Sequence, residues 1–347
     1  MKFLRLPKIR WALLLLALFF IVLCRYMPSI AEGYALTIYP PLSAALSAFS
    51  SLFSFPLIEI FVVFLILWLI FYPIKKRKKK TSWKKILLYE AEILVWIYIW
   101  FYLGWGLNYY RYNIYTRLHT SPKSYEEQIF KNFLKEYTEH LNNAYQAEID
   151  IAPDILREHI GTFYTNLPSE YGLAKPQSWQ HPKKFIFTPL YSKVGVLGSM
   201  GPFFAEAQVN ANLLDVQYPF TYAHEFSHLL GVSNEAEANY WAYRACTESS
   251  SPVLQYCGYF GLLPYVIFNA KSLLPEEDFQ AWAQAIRPEV QEQYNQKNIY
   301  WRNHYSPLIG SIQNYVYNLF LKGNKIPSGK KNYAEVIGIL IAMQENK

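Results

Sequence analysis

The sequence has few charged residues and very few cysteines. Asp, Glu, Lys and Arg make up 17% of the 347 residues, whereas an ordinary soluble domain has about 25%. Cysteine occurs 3 times, glycine 15 times and proline 20 times, and 52% of the residues are hydrophobic. These values exclude a disulfide-stabilised miniprotein, a collagen-like chain and a disordered tail. The composition fits a membrane part joined to a folded part.

Positive charge is concentrated beside apolar segments. The formal net charge is +7, but 12 of the 33 basic residues lie within the first ten positions and within 75–85. From Asn108 onward, 20 basic residues stand against 22 acidic ones. Basic residues that flank apolar segments mark the cytoplasmic side of a membrane. The charge therefore reflects membrane topology, and we expect the lipid bilayer as a partner and no nucleic acid.

Three apolar stretches predict membrane-spanning helices, and they are Trp11–Cys24, Phe53–Pro73 and Ile86–Leu107. The first has 14 uncharged residues and is either a short span or the core of a signal peptide, and in both alternatives the chain after it is exported. The lysine-rich run at 75–80 holds the loop after the second stretch in the cytoplasm. We therefore predict a three-span α-helical anchor at 1–107 in the cytoplasmic (inner) membrane. The remaining residues, 108–347, form an extracytoplasmic domain.

Some features of the chain leave alternatives open. Glu59 interrupts the second stretch, where it either faces the other helices, paired or protonated, or belongs to a functional site. Val253–Ala270 contains 18 uncharged residues and is either a buried core helix or a fourth span. Cys246 and Cys257 lie in the exported part, where a disulfide between them can form.

The exported part has a mainly helical pattern with a little strand, so we predict a mainly α, α+β domain. Ser124 begins an amphipathic stretch, and Pro153–Asn166 has the pattern of a second helix. Short β-like runs occur within Lys184–Leu197. Gly198–Pro202 is expected to form a turn that leads into Phe203–Leu214.

The chemistry is concentrated in the segment Tyr222–Gly231, which contains the pattern HExxH. Residues four apart lie on one face of a helix, so His224 and His228 can direct ring nitrogens at one metal ion. Glu225 lies beside them and can accept a proton from a metal-bound water. The pattern is typical of the zincin helix, with two zinc ligands and a general base.

A catalytic zinc site needs a third protein ligand. Asn234 is a poor zinc ligand, so Glu235 and Glu237 are the candidates. With Asn234 as N-cap, Glu237 takes the position whose carboxylate folds back in a capping box. Glu235 then keeps a free carboxylate, and Asn239 lies one turn further along the same face, where it can orient a ligand histidine. We therefore prefer Glu235, with Glu237 as the alternative.

The sequence resembles an uncharacterised bacterial family of multi-pass membrane proteins that bear a zincin-like metallopeptidase domain. The similar segments are Phe203–Asn210, Pro219–His228, Gly231, Glu235–Asn239 and Tyr317–Asn324. The wider gluzincin group carries an ExxxD motif on the next helix, and the resemblance implies that Glu235 and Asn239 take its two positions. Asn239 stands where those enzymes have aspartate, and its amide carries no charge.

The expected mechanism uses Zn²⁺ to polarise a water while Glu225 moves its proton to the leaving amine. The developing oxyanion needs a further partner, and a downstream polar cluster is a candidate: Tyr300, Arg302, His304 and Tyr305. Zincins usually bind peptide along an edge strand before the active helix, and Phe203–Asn210 is where that strand is expected. Glu206 either binds a substrate amine or lies on a solvated strand face.

Two functions remain open at the level of sequence. The first is a membrane-anchored zinc metallopeptidase that hydrolyses a peptide or protein substrate on the outer side of the membrane. The second is a non-catalytic zincin-like ectodomain that serves as a sensor or assembly partner. Intact His224, Glu225 and His228 favour the first, because a binding module has no need of Glu225.

Overall fold

The protein is mostly helical. A computed structural model describes residues 7–122 and 126–344, and helices make up 72% of it. The α-helices are α1 (Pro7–Tyr26), α2 (Pro28–Thr37), α3 (Tyr39–Ser50), α4 (Leu57–Lys78), α5 (Trp83–Gly104), α6 (Ile114–Arg117), α7 (Glu127–Ala144), α8 (Pro153–Asn166), α9 (Thr188–Lys193), α10 (Tyr218–Leu229), α11 (Glu235–Thr247), α12 (Pro252–Leu273), α13 (Glu276–Ala285), α14 (Pro288–His304), α15 (Pro307–Gly323) and α16 (Val336–Gln344). Short 3-10 helices run at Gly106–Tyr110, Ser169–Tyr171 and Gly329–Glu335.

Three helices are long and apolar enough to cross a membrane. They contain the segments Ile9–Tyr26 of α1, Leu57–Lys78 of α4 and Trp83–Gly104 of α5. Their number and positions agree with the three predicted spans. Most of their side chains are not buried within the protein, so their apolar surfaces are free to face lipid.

Two helices that the sequence analysis did not predict connect the first two candidate spans. Helices α2 and α3 each carry a proline in the first turn, where its missing N–H leaves no hydrogen bond unmade. Tyr34 of α2 and Tyr39 of α3 are buried in a cluster with Tyr102 and Trp105 from the end of α5. The connection therefore packs against the ends of α1 and α5.

The core of the second half is built around α10, α11 and α12. Helix α12 covers the uncharged stretch Val253–Ala270, and its buried side chains include Leu254, Phe260 and Val266. It is a core helix, and within residues 7–122 and 126–344 it is not among the candidate spans. Cys246 and Cys257 are buried as free thiols. The disulfide that the sequence allowed is therefore not formed.

The first helices after the candidate spans largely agree with the prediction. Helix α8 has the bounds Pro153–Asn166, as expected. The amphipathic helix α7 begins at Glu127, and its buried residues include Phe133 and Tyr137. Ser124, the predicted start of this helix, lies outside the described residues.

A small sheet of three strands precedes α10, in the order β1 (Lys183–Lys184), β3 (Glu206–Val209), β2 (Gly198–Gly201). β1 is parallel to β3, and β2 is antiparallel to it. The predicted turn at Gly198–Pro202 is therefore wrong, because Gly198–Gly201 pairs with Glu206–Val209. Of the β-like runs expected within Lys184–Leu197, only Lys184 lies in a strand, β1, whereas residues 185–187, 194 and 196 lie outside the strands on either side of α9.

Glu59 attaches the start of α4 to the rest of the chain. Its two carboxylate oxygens accept hydrogen bonds from the backbone N–H groups of Ile186 (3.0 Å) and Phe187 (2.8 Å), just before α9. The side chain is buried. Neither expected role is found, because Glu59 binds backbone amides and not the other candidate spans.

Candidate metal centre

Helix α10 places both histidines of the HExxH pattern inside the protein. Pro219 lies in the first turn, and every residue from Pro219 to Leu229 is buried. Gly231 comes next with φ +97°, a left-handed conformation that favours glycine. A Cβ on Gly231 would also lie 3.2 Å from the ring of Tyr39. The turn therefore ends α10 close to α3 and lets the chain enter α11.

Two asparagines fix the start of α11. The side chain of Asn234 accepts a hydrogen bond from the N–H of Glu237 at 3.0 Å, which confirms the predicted N-cap. Asn332 Oδ1 accepts from the N–H groups of Glu235 (3.0 Å) and Ala236 (3.3 Å). The first turn of α11 is therefore held from two sides, and Glu235 is directed at α10.

The structure brings together His224, His228 and Glu235. The two Nε2 atoms lie 3.0 Å apart. Glu235 Oε2 lies 3.2 Å from Nε2 of His224 and 3.3 Å from Nε2 of His228. All three side chains are buried, and their ligand atoms lie within 4.8 Å of one another. Such a group could hold one metal ion.

The other ring nitrogen of each histidine is already engaged. His228 Nδ1 donates to the carbonyl of Val232 at 2.7 Å, because a carbonyl can only accept. Asn239 Nδ2 donates to the carbonyl of Tyr333 at 3.1 Å, which leaves its Oδ1 to accept from His224 Nδ1 at 2.8 Å. With Nδ1 as the donor on both rings, each Nε2 is left to bind either a proton or a metal ion. Asn239 thus has the orienting contact that the sequence predicted.

The electrostatics of the group favour an ionised carboxylate beside the two rings. Burial lowers the pKa of His224. Burial also acts to lower the pKa of His228, but the neighbouring Glu235 carboxylate outweighs it and raises the value to about 9. For Glu235, burial acts to raise the pKa, and the two histidines outweigh it and hold the value below its ordinary range. The carboxylate is therefore ionised and attracts a cation to the ring nitrogens.

Glu225 lies beside the two histidines and Glu235, and it packs against Gly198, the first residue of β2. A Cβ on Gly198 would collide with the carboxyl group of Glu225, so a glycine is needed for β2 to approach. Burial raises the pKa of Glu225 to about 8. Oε2 of Glu225 and Oε2 of Glu235 are buried and receive no hydrogen bond from the described residues. Two imidazoles and a carboxylate, with unbonded oxygens beside them, fit the donor set of a catalytic zinc site.

Three tyrosines that the sequence analysis did not identify as site residues surround Glu235. Tyr317 donates its hydroxyl hydrogen to Glu235 Oε1 at 2.6 Å. Tyr333 stacks on the ring of His224, with centroids 6.1 Å apart. Burial and the Glu235 charge raise the pKa of Tyr109, Tyr317 and Tyr333 well above the ordinary value, so all three hydroxyls remain protonated. Tyr317 belongs to a segment that carries the family resemblance. No sequence pattern distinguishes Tyr109 and Tyr333 from the rest of the 30 tyrosines of the chain.

The end of α10 is bonded to residues from the anchor half of the chain. Trp105 Nε1 donates to the carbonyl of His228 at 2.8 Å. The hydroxyl of Tyr39 donates to the carbonyl of Leu229 at 2.7 Å. Both acceptors belong to the last turn of α10, whose carbonyls have no partner within the helix. No sequence pattern indicated that residues before Asn108 take part in the site.

Glu237, the alternative ligand, is directed away from the histidines. Its carboxylate forms a buried ion pair with Arg117, and Trp241 Nε1 donates to it at 3.1 Å. The N–H of Glu237 bonds the N-cap Asn234, as predicted. Its carboxylate, however, does not fold back onto Asn234 as a capping box requires. The carboxylate positions of Glu235 and Glu237 thus agree with the preference for Glu235.

Glu206 has neither of its two expected roles. It is buried and forms an ion pair with Lys183 at 2.8 Å. It also accepts from the N–H groups of Leu57 (3.0 Å) and Ile58 (3.1 Å) at the start of α4. Free N–H groups at a helix start attract a carboxylate, so Glu206 caps a candidate span.

The downstream polar cluster forms contacts of its own. His304 Nδ1 bonds the carbonyl of Tyr300 at 2.9 Å, and the Tyr305 hydroxyl accepts from Asn314 at 3.2 Å. Tyr300 donates to the carbonyl of Asn212 at 2.9 Å. Within the described residues, none of these hydrogen bonds reaches the histidines of the HExxH pattern. His304 and Tyr305 thus bond to other polar groups, and their role as oxyanion partners stays a prediction.

Comparison with known proteins gives one match. A family model described as "Protein of unknown function (DUF3810)" matches residues 34–341. The match covers most of the chain, so the chain belongs to this uncharacterised family. No curated protein and no solved structure matches it.

Proposed function

We propose that the protein is a membrane-anchored zinc-dependent metallopeptidase that acts on the outer side of the cytoplasmic membrane. The observation that carries the proposal is the arrangement of His224, His228 and Glu235 around one point. Both Nδ1 atoms are used as donors, so both Nε2 atoms and one carboxylate oxygen converge. Three protein ligands leave a fourth zinc position for water.

Glu225 is the general base in this proposal. Zinc held by the three ligands would supply Lewis-acid chemistry to the site. Glu225 comes directly after a ligand in the chain, and Oε2 of its carboxylate has no hydrogen-bond partner among the described residues. The ionised form of this carboxylate would be favoured by a zinc ion beside it and can then accept the proton of the attacking water and pass it to the leaving amine. Tyr317 positions the ligand Glu235 through its 2.6 Å hydrogen bond.

The strand that is open to an extended substrate is β2. The predicted substrate strand, Phe203–Asn210, contains β3, which is the central strand and is paired on both sides. β2 lies at the sheet edge among the described residues, and its first residue, Gly198, packs against Glu225. Backbone pairing along β2 would bring a peptide next to the general base with little dependence on its sequence.

Charge placement supports an outside location for the site. The last turn of α4 carries Lys75, Lys76, Arg77 and Lys78, which favours the cytoplasm for that end. The opposite end of α4 is bonded to Glu206 of the sheet. The metal centre then lies on the outer side.

Burial of the whole centre supports a second candidate function. His224, Glu225 and His228 are only 7%, 5% and 5% exposed. A closed site of this kind also suits a structural metal in a non-catalytic sensor or assembly protein. The two candidate functions differ in whether they require Glu225, because a structural metal does not need a base.

The experiment uses the full-length protein in lipid nanodiscs, because Trp105 and Tyr39 contact the end of α10. Metal content and cleavage of a peptide library are measured for the wild type and for Glu225→Gln. We expect about one zinc per chain in both proteins, with cleavage by the wild type only. A Glu248→Gln variant, altered at an exposed ion pair, serves as the control and should match the wild type. Zinc binding without any cleavage by the wild type, together with full function of Glu225→Gln in cells, would favour the sensor.

A further inference from the structure

Helix α15 has an apolar face that no other part of the described chain covers. The helix has no charged residue before Lys322. Five of its large hydrophobic side chains are more than half exposed: Leu308 (74%), Tyr315 (67%), Ile312 (60%), Val316 (58%) and Leu319 (51%). At about 100° per residue, these five fall within an arc of about 100°. They form one continuous stripe, which we call the α15 stripe.

The opposite face of α15 is part of the metal centre. Tyr317 bonds Glu235, and Phe320 stacks edge-on against Phe101 (5.9 Å between centroids) and Tyr109 (5.8 Å). The stripe therefore cannot turn inward without removing Tyr317 from Glu235. Its exposure is a fixed property of the fold.

The end of α15 is attached to the ends of two candidate spans. Arg25, at the end of α1, donates to the carbonyl of Gly323 at 2.9 Å. Tyr102, near the end of α5, donates to Asn324 Oδ1 at 2.8 Å. The C-terminal end of α15 thus lies at the level at which α1 and α5 would leave a membrane.

The loop between β2 and β3 also contacts the candidate spans, at a point further inside them. The loop between β2 and β3 contains Phe203 and Phe204, whose rings lie 5.1 and 5.9 Å from the ring of Phe61 in α4. Trp100 of α5 donates to the carbonyl of Phe203 at 3.2 Å. Phe61 and Trp100 are each four residues inside their helices, a depth of about 6 Å. The loop between β2 and β3 therefore lies deeper than the ends of α4 and α5, at the level of their apolar side chains.

We infer that the α15 stripe is embedded in the lipid of the same leaflet that holds the Phe203–Phe204 loop. The partner is the bilayer, because the end of α15 is attached to the ends of two apolar candidate spans and the stripe carries no charge to pair with a protein. Helices of this kind lie in the interface with the apolar face in the acyl region. The exposed Lys322 at its end suits the headgroup layer. Helix α15 then lies between the lipid and the metal centre.

The test measures lipid contact directly and does not depend on peptidase activity. Full-length Ile312→Cys and Val316→Cys variants are labelled with an environment-sensitive fluorophore in nanodiscs. The native cysteines are buried, and the unmodified protein shows whether they react. Gln296→Cys, at an exposed polar position of α14, is the matched control.

Brominated lipid and iodide in the buffer distinguish the outcomes. We expect brominated lipid to remove about half of the fluorescence or more at 312 and 316, and iodide to quench only the probe at 296. Quenching at 312 and 316 by iodide but not by lipid would overturn the inference, because the stripe would then face water. Protection from both quenchers would overturn it as well, in favour of a protein partner or a second copy.

Discussion

The hydroxyl of Tyr317 donates to Oε1 of Glu235, while Oε2 of the same carboxylate faces the Nε2 atoms of both histidines. One oxygen is thus held by α15, and the other is left for a metal ion. The carboxylate cannot rotate without losing the 2.6 Å hydrogen bond. Helix α15 therefore sets the geometry of a ligand that belongs to α11.

Replacing Tyr317 by phenylalanine should weaken zinc binding. The change removes the hydrogen bond that fixes Glu235, and loss of such a contact typically lowers metal affinity by about 10- to 100-fold. Competition with a chromogenic chelator measures the affinity. Tyr315→Phe, at an exposed position of the same helix, should leave it unchanged. Equal affinities for the two variants would show that Tyr317 does not position the ligand.

Glu235→Gln should lose zinc, whereas Glu237→Gln should keep it. Glu235 supplies the only carboxylate oxygen between the two histidines among the described residues, and Glu237 is bonded to Arg117 and Trp241 instead. Metal content per chain after gel filtration gives the answer. Loss of zinc in Glu237→Gln but not in Glu235→Gln would show that Glu237 is the third ligand and Glu235 is not.

Arg117→Met should destabilise the protein strongly. Both partners of the Arg117–Glu237 pair are buried, with side chains 5% and 6% exposed. Removal of one partner leaves an unpaired buried charge, which costs about 3–5 kcal/mol. The exposed pair Lys131–Glu127 offers a control, since water screens such a pair and Glu127→Gln should leave the Tm almost unchanged. Thermal unfolding in one detergent compares the two, and a similar small change in Tm for both would contradict the prediction.

Reporter fusions should confirm the proposed topology. An enzyme that is active only outside the cytoplasm should be silent when fused at Lys79 and active when fused after Asn108 or at Lys347. The last result is expected because α12 is a core helix of the exported part. Activity at Lys79 would reverse the orientation. A silent fusion at Lys347 beside an active one at Asn108 would require a further crossing.

The parts of the site that were predictable are those encoded by spacing within one helix. His224 and His228 are four residues apart, and Asn234 begins α11, so local rules place Glu235 and Asn239 correctly. Asn239 also explains the departure from aspartate. Its Nδ2 donates to the carbonyl of Tyr333, and an aspartate carboxylate would face that carbonyl without a hydrogen to share.

The parts that were missed depend on contacts between distant segments. β2 is Gly-Ser-Met-Gly, which has no β-branched or aromatic residue, and it is extended because β3 pairs with it. Glu59 and Glu206 bind backbone N–H groups more than 100 positions away. A backbone donor leaves no mark on the sequence, so neither contact was predictable.

The bonds from Trp105 to His228 and from Tyr39 to Leu229 determine how the protein would respond to cleavage between anchor and domain. A fragment that begins at Asn108 would contain the HExxH pattern but not the two donors that satisfy the last turn of α10. The carbonyl of Leu229 would lose its hydroxyl donors Tyr39 and Ser43, at about 1–3 kcal/mol where it stays buried, and the carbonyl of His228 would keep the N–H of Gly231. Proteolytic shedding would therefore loosen the candidate metal centre. If the proposed peptidase activity depends on that centre, activity and membrane attachment would be lost in the same event.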